Sequence, residues 1–177
     1  DDDTSASRLW KWDHCPVSVY LPDSTLATGR PMDDLAREML ALWNQTMGET
    51  YLVEAASAAA ADVHFAWVTD ASAGYGETAL EVPVGGVLGE VIPQRVRVEV
   101  ETGILTDTFF REVALHEFGH VLGLVDHSMS CNAAGHLMVL GASGNLSLTD
   151  PIHPDEVRAV RTVRRLRQGT DMRRFEP

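Results

Sequence analysis

Residues 106–126 read TDTFFREVALHEFGHVLGLVD, and this stretch organises everything around it. Thr106 or Asp107 can cap a helix running from about Thr108 to Leu122, and Gly123 can end it by entering the left-handed region. Inside that predicted helix stands His116-Glu117-Phe118-Gly119-His120. Residues i and i+4 lie one above the other on a helix face, so both imidazoles can reach one ion at about 2.0–2.1 Å. Glu117 projects from the same turn, where a carboxylate can carry a proton between a metal-activated water and a leaving group. Composition alone yields HExxH in roughly 2% of chains like this one; requiring a glycine three residues on and an Asp or His three further lowers that to about 2 in 10,000. Gly123 lets the chain turn back beneath the ion, and Asp126 is in register to supply a third ligand.

Outward from this helix the pattern alternates between strands and helices. Val17, Val19 and Leu21 alternate with polar or aromatic neighbours and stop at Pro22-Asp23, a first strand. Asp33 or Asp34 can cap a helix in which Leu35, Met39, Leu42, Trp43 and Met47 recur at helical spacing up to Gly48. An alanine-rich connection leads to a strand over Val63–Val68, then a loop over 69–79 punctuated by Gly74 and Gly76. Val82–Val91 and the alternating Val96, Val98 and Val100 read as further strands. After an irregular stretch from 124 to 153, Pro154 opens a last helix with Val157, Val160, Val163 and Leu166 on one face. The reading is an α+β chain of one domain over residues 1–177, its first nine residues flexible.

Composition narrows the function. At 45% apolar and 23% charged residues the chain is an ordinary globular protein, long enough to bury a substantial core. A net charge of −12 argues against a nucleic-acid partner, and no apolar run suits a membrane span. Positive charge gathers only at the end, where residues 158–177 hold seven arginines against Asp171 and Glu176. Cys15 and Cys131 leave two readings open: a disulfide suited to a secreted protein, or two buried free thiols. The chain begins at Asp1-Asp2-Asp3 without a signal peptide, as a processed chain would. His14 and His64 read as strand-end residues, His136 as a surface-loop histidine and His153 as the lead-in to the last helix.

The run HEFGHVLGLVDHS at 116–128, followed by His136-Leu137-Met138-Val139, resembles the metzincin clan of zinc endopeptidases, whose pattern is HExxHxxGxxH with a Met-turn. HEFGHVLGL is similar to matrixins, while aspartate at the third-ligand position, trailed by His127, resembles snapalysins. Trp43, Ala61-Asp62-Val63, Gly85-Gly86-Val87-Leu88 and Pro154-Asp155-Glu156-Val157 are similar to the matrixin layout, so the resemblance covers roughly residues 10–168. It implies an α/β/α-like catalytic domain: a twisted mixed sheet of four to five strands with an edge strand over the cleft, an active-site helix and a C-terminal helix. It also implies one catalytic zinc on His116, His120 and Asp126, with His127 the alternative third ligand. Glu117 would be the general base and Met138 the hydrophobic floor. The implied activity is that of a secreted, monomeric zinc endopeptidase that hydrolyses protein or peptide substrates through zinc-activated water; the alternative is a catalytically silent zinc-containing binding module. Substrate would pair with a rim near Gly85–Val91, through Gly86, Val87, Leu88 and Gly89. The acidic segment 69–77, TDASAGYGE, adds calcium as a further candidate ion.

Overall fold

The computed structural model describes residues 9, 11–68, 75–81, 95–101, 106–124, 136–138 and 151–170. Strand β1 (Val17–Tyr20) leads through a loop into helix α1 (Met32–Met47), which is followed by strand β2 (Leu52–Glu54). A 3₁₀ turn, Ala58–Ala60, precedes strands β3 (Val63–Val68), β4 (Gly76–Glu81) and β5 (Arg95–Glu101). Helices α2 (Asp107–Val121) and α3 (Pro154–Arg165) complete the described elements. The strands form one mixed sheet in the order β2-β1-β3-β5-β4, parallel except for β4, which runs antiparallel to β5. None of the described helices is long and apolar enough to cross a membrane.

Binary patterning explains the layers. Along β1 and β3 the alternating residues Val17, Val19, Val63 and Phe65 are buried, and they share one apolar cluster with Leu35, Met39, Trp43 and Met47 of α1. Phe110, Ala114 and Phe118 of α2 and Val157 and Val160 of α3 join the same cluster. Phe118 meets Phe65 of the sheet at 4.8 Å between ring centres, which fixes the face that α2 turns inward. Trp43, fully buried, donates its indole N–H to the Leu115 carbonyl at 2.9 Å and so ties α1 to the residue before His116. Trp43→Phe removes that bond and leaves a cavity where the larger ring packed, and should cost about 2–4 kcal/mol, read as a lower urea midpoint at an unchanged slope.

Several expectations need correction. Helix α1 starts at Met32 after Pro31 with no side-chain cap, because Asp33 and Asp34 fall inside the first turn and face Arg37 instead, at 3.3 and 2.5 Å. Strand β2 lies in what reads as a plain connection; Asn44 of α1 creates it, accepting from the Tyr51 and Leu52 N–H groups and donating to the Leu52 carbonyl. Residues 76–79 are strand rather than loop: β4 pairs with β5 in register from Gly76↔Val100 to Glu81↔Arg95, and that pairing overrides a sequence of weak strand propensity. Leu9 is not frayed. Its side chain is buried and its backbone exchanges bonds with Gly169 and Thr170, both at 2.9 Å. Residues 82–91, including the expected rim Gly86–Gly89, lie outside the described residues, as does most of the 69–77 segment proposed for calcium. Cys15 is an exposed free thiol that donates to the Thr50 carbonyl at 3.5 Å, while Cys131 lies outside the described residues.

At the start of the sheet, Asp62 accepts from the Ser18 backbone N–H at 2.8 Å and the Ser18 hydroxyl at 2.5 Å. His14 lies between Asp13 and Asp62, its ring nitrogens 2.8 and 3.1 Å from their oxygens. Hydrogen bonds to Asp13 and then Asp62 raise the His14 pKa above its ordinary 6.5. The folded state therefore binds this proton more tightly than the unfolded chain, a contribution complete below pH 6.5 and lost as pH rises through the folded pKa. In NMR titrations the His14 ring should give a midpoint above 6.5, and Asp62→Asn should move it down.

Candidate metal centre

Helix α2 begins at the first of the two caps the sequence offers, Thr106 rather than Asp107. Thr106 is its cap, the hydroxyl oxygen accepting from the Phe109 N–H at 3.2 Å. Its far end closes in a Schellman motif: Gly123 takes φ 99°, its N–H bonds to the His120 carbonyl at 2.9 Å, and the Leu124 N–H reaches back to Gly119 at 3.1 Å. That turn has a chemical consequence. It swings the Leu124 carbonyl under His120, where Nδ1 donates to it at 2.5 Å. His116 is held the same way, its Nδ1 donating to the Leu137 carbonyl at 2.9 Å. With both Nδ1 atoms committed as donors, both Nε2 atoms carry lone pairs.

Those two Nε2 atoms lie 3.1 Å apart, with the rings at 86° to one another. Two nitrogens bound tetrahedrally at 2.0–2.1 Å to one ion would be about 3.3–3.4 Å apart. At this separation either a shared proton or a cation relieves the repulsion between converging lone pairs, and the donor set is one that can hold a metal ion. His116, Glu117 and His120 each bring a ligand atom within 4.8 Å of the others and can hold one. The expected third ligand, Asp126 or His127, lies outside the described residues.

Glu117 is buried, 3% exposed, and accepts from the Thr78 hydroxyl of β4 at 2.5 Å. Burial pushes its carboxyl up to about 7, against the Thr78 bond and helped by the nearby charge of Glu77. A carboxyl in this range can both accept and return a proton near neutral pH. A cation on the flanking histidines acts in the opposite direction, favouring the ionised form. Room for the carboxylate comes from Gly76, since a Cβ there would collide with Glu117 and with Val113.

Met138 is buried on the other side of α2. A Cβ at Gly119 would lie 2.5 Å from its sulfur, so only glycine lets Met138 sit against the helix one residue before His120. The turn that carries Leu137 and Met138 is anchored by α3. Buried Glu156 accepts from the Met138 N–H at 2.8 Å through one oxygen and from the His153 N–H at 2.8 Å through the other. The second of these bonds is half of a capping box, the other half being the His153 ring accepting from the α3 backbone.

Sequence reasoning found His116, Glu117, His120, Gly123 and Met138 but not Thr78, Gly76, Gly119 or Glu156 as parts of the site. Of these, Gly119 sits inside the motif and Glu156 at the third residue of a helix opened by Pro154, signals available in the sequence. Thr78 had none, because its role depends on the pairing of β4 with β5.

Fold and donors together define a mixed α/β protein with a His-Glu-His group on one helix that could hold a metal ion, backed by a sheet and a buried methionine. No protein-family model matches the chain and no curated protein matches it.

Proposed function

We propose that the chain is a secreted zinc endopeptidase of the metzincin type, with Glu117 as its general base. The observation that carries this reading is the convergence of two Nε2 lone pairs at 3.1 Å beside a buried carboxylate. His116 and His120 would hold the zinc, with Asp126 or His127 completing its protein ligands. Two neutral imidazoles and an oxygen ligand suit this ion. When bound, zinc would polarise the scissile carbonyl and acidify a water molecule.

The chain's own residues do the rest. The Leu124 and Leu137 carbonyls hold both rings in the tautomer that presents Nε2. The Thr78 hydroxyl fixes one oxygen of Glu117, leaving the other to take a proton from the attacking water and return it to the departing nitrogen. Met138 and the aromatic packing beneath α2 keep water from the helix's inner face. Among the described residues β4 is one of the two outer strands of the sheet, the other being β2, and it carries Thr78, so an extended peptide pairing along it would pass the Glu117 carboxylate.

Metal removal tests the proposal. The zinc-loaded chain should cleave an unstructured polypeptide, lose that activity on chelation and regain it with added zinc. Cleavage that persists in the metal-stripped chain, or a zinc-loaded chain that cleaves no polypeptide, would refute it.

A further inference from the structure

A second group of ligating side chains lies away from α2. His136, from the turn before Leu137, stacks on His153, the cap of α3, with ring centres 4.1 Å apart at 26°. Asp155 stands in the first turn of α3, its Oδ2 3.5 Å from His153 Nδ1. Ligand atoms from His136, His153 and Asp155 all lie within 4.8 Å of one another. The three come from two segments well separated in the chain, brought together because Glu156 ties the Met138 backbone to the start of α3.

We infer that His136, His153 and Asp155 form a second binding site, for an exchangeable divalent transition ion, that clamps the Met138 turn onto α3. Two imidazoles and one carboxylate select a borderline ion such as Zn²⁺, Co²⁺ or Ni²⁺ over Ca²⁺ or Mg²⁺, which prefer all-oxygen shells. The half-exposed rings and the exposed Asp155 leave room for water to fill the remaining positions.

Two local bonds compete with the ion and make this site the weaker of the two. The His153 ring accepts from the Asp155 N–H at 3.2 Å through Nδ1, so coordination by His153 costs part of the helix cap. Arg158 pairs with the other oxygen of Asp155. The inference stands independently of the proposed peptidase activity, since none of its ligands belongs to the α2 group.

Equilibrium dialysis of the metal-stripped full chain against Zn²⁺, followed by metal analysis, tests it. Wild type should bind two ions, the second more weakly. His120→Ala should bind one, and His120→Ala combined with His136→Gln none. Because His153 caps α3, the decisive single variant is His136→Gln, whose position precedes a turn and lies outside every helix and strand. Arg158→Gln should tighten the second ion roughly two- to fivefold by freeing Asp155 from an exposed ion pair. A wild type whose single ion is lost in His120→Ala and kept in His136→Gln, or a His136→Gln variant that binds two ions with wild-type affinity, would overturn the inference. Loss of the α2 ion alone would count against the peptidase reading and leave this one standing.

Discussion

Glu117→Gln is expected to lower the hydrolysis of an unstructured polypeptide about 10²- to 10⁴-fold while the chain keeps its zinc. The substitution is nearly isosteric. The side-chain amide oxygen can still accept from the Thr78 hydroxyl, so the geometry seen at 2.5 Å has a neutral equivalent. What disappears is the capacity to take a proton from water and hand it on. Folding should not suffer, because a neutral amide is cheaper to bury than a carboxylate at a position 3% exposed. The measurement is therefore paired: kcat/KM against a quenched peptide, and zinc content after gel filtration. Retained activity would remove Glu117 from the reaction. Lost zinc would assign it to the coordination shell, which the closeness of its carboxylate to both imidazoles also permits.

The second large effect is on stability. Glu156→Ala should cost about 3 kcal/mol, since two backbone N–H groups lose a charged acceptor, each such bond contributing about 1.5–3 kcal/mol, and the Met138 N–H is left buried. The loss should appear as a lower denaturant midpoint at constant slope. Glu156→Gln keeps one acceptor oxygen and should show about half the loss. The damage should also reach the metal. The Leu137 carbonyl that fixes the His116 tautomer sits next to the released Met138, and loosening such support typically weakens metal binding about 10- to 100-fold. Zinc affinity unchanged in Glu156→Ala would mean that the turn holds its position without α3.

The alternation of Val17 and Val19, the helical spacing from Leu35 to Met47, and the valines of α3 were all readable because apolar period maps directly onto burial. The metal-binding pair was readable for a related reason. His116 and His120 are four residues apart on one helix, so local geometry alone brings them together. Gly123 was readable too, as the residue that ends the helix in the left-handed conformation, at φ 99°. Strands β2 and β4 were not. One is three residues long and exists because Asn44 bonds its backbone; the other begins at a glycine that looks like loop punctuation and is strand only because β5 lies beside it.

What the sequence determined by itself, then, is everything set by short-range geometry: the helix α2, its start at Thr106 or Asp107, its glycine exit, and two imidazoles presented from one face. Tertiary structure decided what those imidazoles and Glu117 can do. The Leu137 carbonyl that assigns the His116 tautomer arrives from 21 residues away, Thr78 that orients Glu117 from 39, and Glu156 reaches Met138 across 18. No local propensity encodes such pairings. They follow from burying the sheet, the helices and the methionine turn in one core, where each buried polar group must find its partner.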